Sequence, residues 1–239
     1  LIGVTGAAQF YKVPPPGWKP QGWTPPVTTL KRTEFAPASM LGTWQFYALW
    51  LLYFLGTSVG LTIIGEASPM LLEMTKTSTW LSAGAALGVM SIFNGVGRLG
   101  WGAASDKLGR KPTLLAMCAC SVIACLVFLR TASSLTPLLT GLCLAAFTYG
   151  GYLALMPSLT ADYFGPKFVG ANYGLLFSAW GICGFVVPGY FAGIMDKARV
   201  AGDLASGYAE VFLKLAVIAA VGAIVSAVLR HPGVAARES

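Results

Sequence analysis

Between Lys76 and Arg98 the chain carries no charge, and this stretch lies in one of six mainly apolar stretches of about 20 residues. This pattern constrains the fold more than any other feature. In lipid every backbone N–H and C=O must be paired within the protein, so such stretches are predicted to be membrane-spanning helices. They run from about Trp44 to Ile64, Thr79 to Ala104, Thr113 to Leu129, Pro137 to Leu159, Val169 to Ile194 and Tyr208 to Leu229. The connections between them are mostly short. The expected fold class is an all-α integral membrane protein built on a six-helix bundle.

Charge placement excludes two other classes. Only 10% of residues are charged, against roughly a quarter in soluble domains. The net charge of +7 hints at nucleic acid, but the basic residues flank the apolar stretches instead of lining one face. Lys12, Lys19, Lys31, Arg32, Lys107, Arg110, Lys111, Lys167, Arg230 and Arg237 fall on one side when the spans are read in order. Lys76, Arg130, Lys197 and Arg199 fall on the other, with Lys214 just inside the sixth span. The richer side is predicted to be cytoplasmic, which places both termini of the chain there, in an inner or plasma membrane. The five cysteines all lie in apolar spans, and Cys118 and Cys120 lack the partners of a zinc site. No metal or cofactor is expected. An intramembrane enzyme is disfavoured too, since the single histidine, His231, lies beyond the last span and no span carries a central aspartate.

Residues 1 to 10 read as the tail of a preceding helix, which makes the chain look like a fragment. Residues 11 to 43 form a proline-rich connector, expected to be cytoplasmic, because each proline removes a donor and restricts its predecessor. Residues 44 to 230 hold the six spans, and 231 to 239 form a tail. Gly84 and Gly88, Gly170 and Gly174, and Gly189 and Gly193 lie four apart, a spacing that lets helix backbones approach in lipid. The fifth span adds Gly181, Gly184 and Pro188, suited to a helix that bends or rocks.

The most informative motif is Gly102-Ala-Ala-Ser-Asp106-Lys107-Leu-Gly109-Arg110-Lys111. It resembles the signature loop between the second and third helices of each half of the major facilitator superfamily. Gly102 is expected to permit close helix contact, Asp106 to accept bonds at a neighbouring helix N-terminus, Gly109 to allow the tight turn, and Lys107, Arg110 and Lys111 to anchor the loop. "PPPGWKP", "GLTIIGEASP" and "ANYGLLFSAWG" are similar to the central linker, seventh helix and eleventh helix of the oxalate/formate antiporter family. The resemblance implies the C-terminal half of a twelve-helix carrier. It also implies a missing N-terminal half as partner, and a small carboxylate as substrate, moved by exchange or with protons.

Arg98 is the residue on which function turns. It lies eight residues before Asp106, about 12 Å along the helix, against a half-thickness of about 15 Å for the hydrocarbon core. An arginine near mid-membrane costs at least about 2.5 kcal/mol and marks a functional site by default. Its planar fork matches a carboxylate. Asn94, one turn away, can share the ligand, and Trp101 is expected to shield it. An ion pair with an acid of the missing half, or snorkelling to the headgroups, is the structural alternative. Tyr149, Tyr152, Tyr173, Phe177 and Trp180 are candidate lining residues. In the oxalate-carrying branch the resemblance implies a second cation on the eleventh helix, where this chain has Trp180. That difference favours a monocarboxylate such as formate or lactate. A drug or sugar carrier, or a membrane scaffold, remains as an alternative.

Overall fold

The computed structural model describes residues 5–6, 9–10, 15, 18, 34–75, 83–132 and 134–232. Most of the expected connector, the start of the second span and the end of the tail lie outside the described residues. Residues 1–32 and 33–239 form separate units, and the second of these holds the bundle.

A short helix, α1 (Pro37–Leu41), precedes six long ones. These are α2 (Trp44–Thr75), α3 (Ala83–Leu108), α4 (Arg110–Ile123), α5 (Leu135–Phe164), α6 (Val169–Ala201) and α7 (Leu204–Val228). The α4 helix continues as one π-helical segment, Ala124–Leu129, closed by Arg130 N donating to Cys125 O at 3.0 Å. Several helices run beyond the expected edges. α2 is 32 residues long, about 48 Å at 1.5 Å per residue. Pro69, Pro157 and Pro188 all sit inside continuous helices.

Among the described residues, five of these helices are long and apolar enough to cross a membrane, and α3, counted from Ala83, is not one of them. It is long enough, at 26 residues. What lowers its apolarity is Asn94, Arg98 and a series of glycines. Its outward face still exposes Val89, Ile92, Phe93, Val96 and Leu99.

α5 sits at the centre. Two apolar clusters surround it, one around Ile63, Met70, Leu142, Phe191 and Phe212 and the other around Leu49, Tyr53, Leu114, Met156 and Phe164. α6 is the opposite case. It leaves Leu175, Ile182, Phe185, Val186 and Tyr190 exposed. Exposed apolar residues on α3 and α6 are what a helix needs when it faces lipid or another protein surface.

The close contacts are not where the four-residue glycine spacing places them. A Cβ on Gly88, Gly170, Gly174, Gly189 or Gly193 would meet nothing within 4 Å. The backbone approach is instead between α3 and α5. A Cβ on Gly97 would fall 2.0 Å from the Phe147 carbonyl oxygen, and one on Gly150 2.0 Å from that of Asn94. These two glycines seat the helix that carries Arg98.

Candidate substrate site

Arg98 and Asn94 lie on the α3 face that adjoins α5. Gly97 and Gly150 hold the backbones together there. Asn94 donates one amide hydrogen to Ala146 O at 3.3 Å, which leaves its second for a ligand. The Arg98 side chain is exposed, and no ion pair to it exists among the described residues. It lies near enough to Tyr53 and Tyr149 for its charge to act on both hydroxyls.

Aromatic residues converge on the same space from α2, α5 and α6. Trp180 donates its indole N–H to the Tyr149 hydroxyl at 2.7 Å. Its ring stacks on Phe177, with centroids 5.0 Å apart. Phe177 meets Tyr173 at 5.5 Å and Tyr53 at 6.1 Å, and the Tyr53 and Tyr173 hydroxyls are 3.3 Å apart. Tyr149 fits because α2 has Gly60 beneath its ring, where a Cβ would lie 2.5 Å from it. A cleft of about 220 Å³ opens beside it, lined by Ile64, Leu87, Met90, Ser91, Asn94 and Tyr149. The larger cleft, about 730 Å³ between α6 and α7, has neither Arg98 nor these aromatics on its wall. The smaller one is lined by Asn94, one turn from Arg98, and by Tyr149, and is the candidate half-site.

Of the residues picked from sequence, Arg98, Asn94, Tyr149, Tyr173, Phe177 and Trp180 belong to this neighbourhood. Tyr152 does not. It is 1% exposed, packs its ring on Gly56 and lies 3.3 Å from the Cys118 sulfur, inside the bundle. Trp101 does not shield Arg98 either. It turns inward, with its ring 5.4 Å from Phe147 and against Gly151, and its indole nitrogen is buried without a hydrogen-bond partner. Tyr53 was missed, since a single tyrosine in an apolar run carries no signal until α6 is folded against it.

The loop motif behaves partly as expected. Gly109 has φ of 90°, a conformation suited to glycine, and it turns the chain from α3 into α4. Among the described residues Asp106 bonds to no backbone N–H of a helix N-terminus; it accepts from Arg110 Nη1 at 3.0 Å. Arg110 also donates to Ser105 Oγ at 2.7 Å and, through Nε, to Asp162 Oδ2 at 2.8 Å. One guanidinium therefore ties the α3–α4 turn to the end of α5, a role for Asp162 that only the fold reveals. Lys107 and Lys111 are exposed, and Gly102 has open space where a Cβ would go. Arg110→Ala should lower stability by about 1–2 kcal/mol, with Arg110→Lys intermediate because an ammonium lacks the fork. Thermal unfolding of the purified variants measures this, and an unchanged midpoint for the alanine variant would make the clamp ornamental.

Residues 1–188 match the family model of the Major Facilitator Superfamily. The chain belongs to the Major Facilitator Superfamily. It is thus a multi-pass membrane protein of a secondary-transporter family, and that family is one of carriers, not enzymes. Within the superfamily the chain is similar to an oxalate:formate antiporter of Oxalobacter formigenes, 31% identical over 148 residues, or 61% of this chain and 35% of the antiporter. It is also similar to apicoplast pyruvate carrier 1 of Toxoplasma gondii, 32% identical over 160 residues, or 62% of this chain and 28% of that carrier. A third relative is the MFS-type transporter YhjX of Escherichia coli, 28% identical over 138 residues, or 58% of this chain and 34% of the relative. The chain spans about a third of the length of the curated relatives it matches.

Proposed function

We propose that this chain is the C-terminal six-helix half of a carrier that moves a small carboxylate, with Arg98 as the anchor. The observation that carries the reading is the state of Arg98. It is an exposed guanidinium on a membrane helix, unpaired among the described residues, one turn from Asn94, which lines the cleft beside Tyr149, and Tyr149 in turn is held by Trp180 of α6. The names of two relatives, an oxalate:formate antiporter and a pyruvate carrier, point to the same substrate class.

In this reading α3 and α6 pack on an N-terminal half, which covers their exposed apolar residues and completes the site. The two halves rock about it in alternating access, by exchange or by proton symport. The signature-loop side and both termini of this chain face the cytoplasm. Single cysteines near Lys107 and Lys167, in a background without native thiols, should be labelled from the cytoplasmic side alone. Labelling of both from outside intact cells would reverse the orientation. The reading as a whole is tested by uptake of labelled lactate into proteoliposomes holding the complete transporter. Uptake that unlabelled formate or pyruvate suppresses supports it, and absence of any carboxylate transport refutes it.

Trp180 supports a monocarboxylate over oxalate. One guanidinium neutralises one carboxylate, and a second buried negative charge without a partner is strongly penalised. Trp180 offers an apolar wall, held by Tyr149 and Phe177. Competition should rank lactate-like acids above oxalate. Trp180→Lys should move the ranking toward the dianion by roughly tenfold, the effect of about 1.4 kcal/mol. A wild-type preference for oxalate would count against this assignment.

A further inference from the structure

The α6 helix carries Tyr173, Phe177 and Trp180 of the half-site, so whatever fixes its position fixes that wall. One end of α6 is pinned to α2 by Arg199, which donates through Nε to Glu73 Oε1 at 2.9 Å. The other end, beside the half-site, starts without a cap of its own. The first N–H groups of a helix have no partner inside it. α7 meets this need with Asp203, whose carboxylate accepts from Ser206 N at 3.1 Å. α6 is longer, at 33 residues, yet its N-cap residue Phe168 offers no side-chain bond and its first turn holds no acid.

The carboxylate comes instead from Glu34, 133 positions before Lys167. Glu34 Oε2 accepts from Lys167 N at 3.0 Å, in the turn that opens α6. A negative charge is favourable there because the helix dipole puts its positive end at the N-terminus. The turn is shaped to receive it. Gly165 has φ of 84°, and a Cβ on it would collide with the Glu34 carboxylate.

Phe35 commits both of its backbone groups to the bundle. Its N–H donates to Phe164 O at 2.9 Å, and its C=O accepts from Asn172 Nδ2 at 2.9 Å. Its ring meets Phe164 edge-on, with centroids 5.8 Å apart. Just beyond, Met40 of α1 is fully buried in the same apolar cluster as Phe164 and Leu176.

Asn172 ties this contact to the site. It has no solvent exposure, and its Oδ1 is buried without a hydrogen-bond partner. Among the described residues, Phe35 O is the one group that its side chain bonds. Without that bond neither end of a buried amide would be paired, a costly state that the first turn of α6 relieves by moving toward water. The next residue is Tyr173, whose hydroxyl is 3.3 Å from that of Tyr53 and whose ring meets Phe177 at 5.5 Å.

We propose that Glu34 and Phe35 form an intrachain strap that caps α6, and that Asn172 is a positioning residue that holds Tyr173 in the substrate wall while the strap is seated. The strap ends the connector that, in the carrier reading, joins the two halves. The wall of this half is therefore held by the segment through which the other half is attached. The effect on substrate rests on the proposed carboxylate transport, whereas the strap itself does not.

The test uses the purified complete transporter with two readouts. Hydrogen exchange over residues 167–174 should quicken at least about fivefold in Glu34→Ala and in Asn172→Leu, and stay within about twofold in Glu34→Gln, which keeps an acceptor for the Lys167 amide. In proteoliposomes, KM for lactate should rise at least about fivefold in Glu34→Ala and Asn172→Leu, with kcat held within about twofold. The double variant should be no worse than the worse single one, because both remove the same strap. Leucine fills the buried space of Asn172 with an apolar side chain, so a merely structural role would leave KM where it is. If Asn172→Leu fails to fold, Glu34→Ala decides alone, since Glu34 is exposed. Exchange unchanged in Glu34→Ala overturns the strap. Faster exchange with KM unchanged overturns the positioning role. Faster exchange in the variants of a protein whose wild type transports no carboxylate leaves the strap standing and sinks the carrier reading instead.

Discussion

Uptake by the complete transporter should fall on the order of 100-fold when Arg98 is replaced by alanine, with membrane insertion unchanged. The size comes from the chemistry lost. Removing one member of a desolvated, hydrogen-bonded charge pair costs about 2–5 kcal/mol, and about 3 kcal/mol corresponds to roughly 100-fold. Arg98→Lys keeps the charge and loses the planar fork, so it should recover only part of the activity, about a tenth of the wild type. A mere bundle-ordering arginine would behave differently. Its loss would lower stability, and lysine would restore it as well as any cation. Asn94→Ala should be milder, by about 1 kcal/mol, because one hydrogen bond is lost. The measurement is initial-rate uptake of labelled lactate at matched protein density. Near-normal rates in the alanine variant would make Arg98 structural.

The second large effect concerns the seat of that arginine. Gly150→Leu should cost about 3 kcal/mol or more and leave little well-folded protein in detergent. A Cβ at Gly150 would stand 2.0 Å from the Asn94 carbonyl oxygen, and that atom is backbone, which cannot rotate away. α3 would have to lift off α5. Overpacking of yielding side chains costs about 1–3 kcal/mol, and rigid backbone should push the cost to the top of that range or past it. Gly97→Leu should behave alike, since its Cβ would meet the Phe147 carbonyl. Gly170→Ala is the contrast. Nothing lies within 4 Å of that position, so alanine should be neutral or stabilising by up to about 1 kcal/mol through helix propensity. Thermal midpoints of the three variants give the comparison. A Gly150→Leu protein as stable as the wild type would show that the helices are not in backbone contact.

A physical line divides the features legible in the chain from those that only the fold reveals. Length and apolarity bring out helices whose surroundings are lipid, so the six long helices were legible, although α2 runs 11 residues, about three turns, past its expected end at Ile64. The turn at Gly109 was legible because a positive φ needs glycine and the flanking charges mark a membrane edge. Contacts between helices were not. Gly97 and Gly150 are separated by 53 positions, and no spacing rule connects them; the four-residue glycine pairs that looked like contacts face outward instead. Tyr149 and Tyr152 look equivalent in sequence, three apart on one helix. Only the packing on α2 separates them: Tyr149 sits over Gly60 and reaches Trp180, whereas Tyr152 sits over Gly56 and points at Cys118. Tyr53, Asp162 and the Glu73–Arg199 pair depend in the same way on which helices become neighbours. The charge of Arg98 was visible at once because a charge in an apolar run is costly wherever the helix ends up. Its aromatic company was half visible, since aromatic residues are common in membrane helices for packing alone.

The central claim is that Arg98 and its surroundings recognise the charge of a small monocarboxylate. Equilibrium binding to the complete transporter tests it most directly, with lactate, its neutral amide lactamide, oxalate and glucose titrated against wild type and Arg98→Ala. The account predicts saturable binding of lactate to the wild type. It predicts oxalate weaker than lactate, lactamide weaker by at least about 100-fold, no binding of glucose, and loss of lactate binding in Arg98→Ala. Lactamide or glucose binding as tightly as lactate, or lactate binding unchanged in the alanine variant, would contradict it.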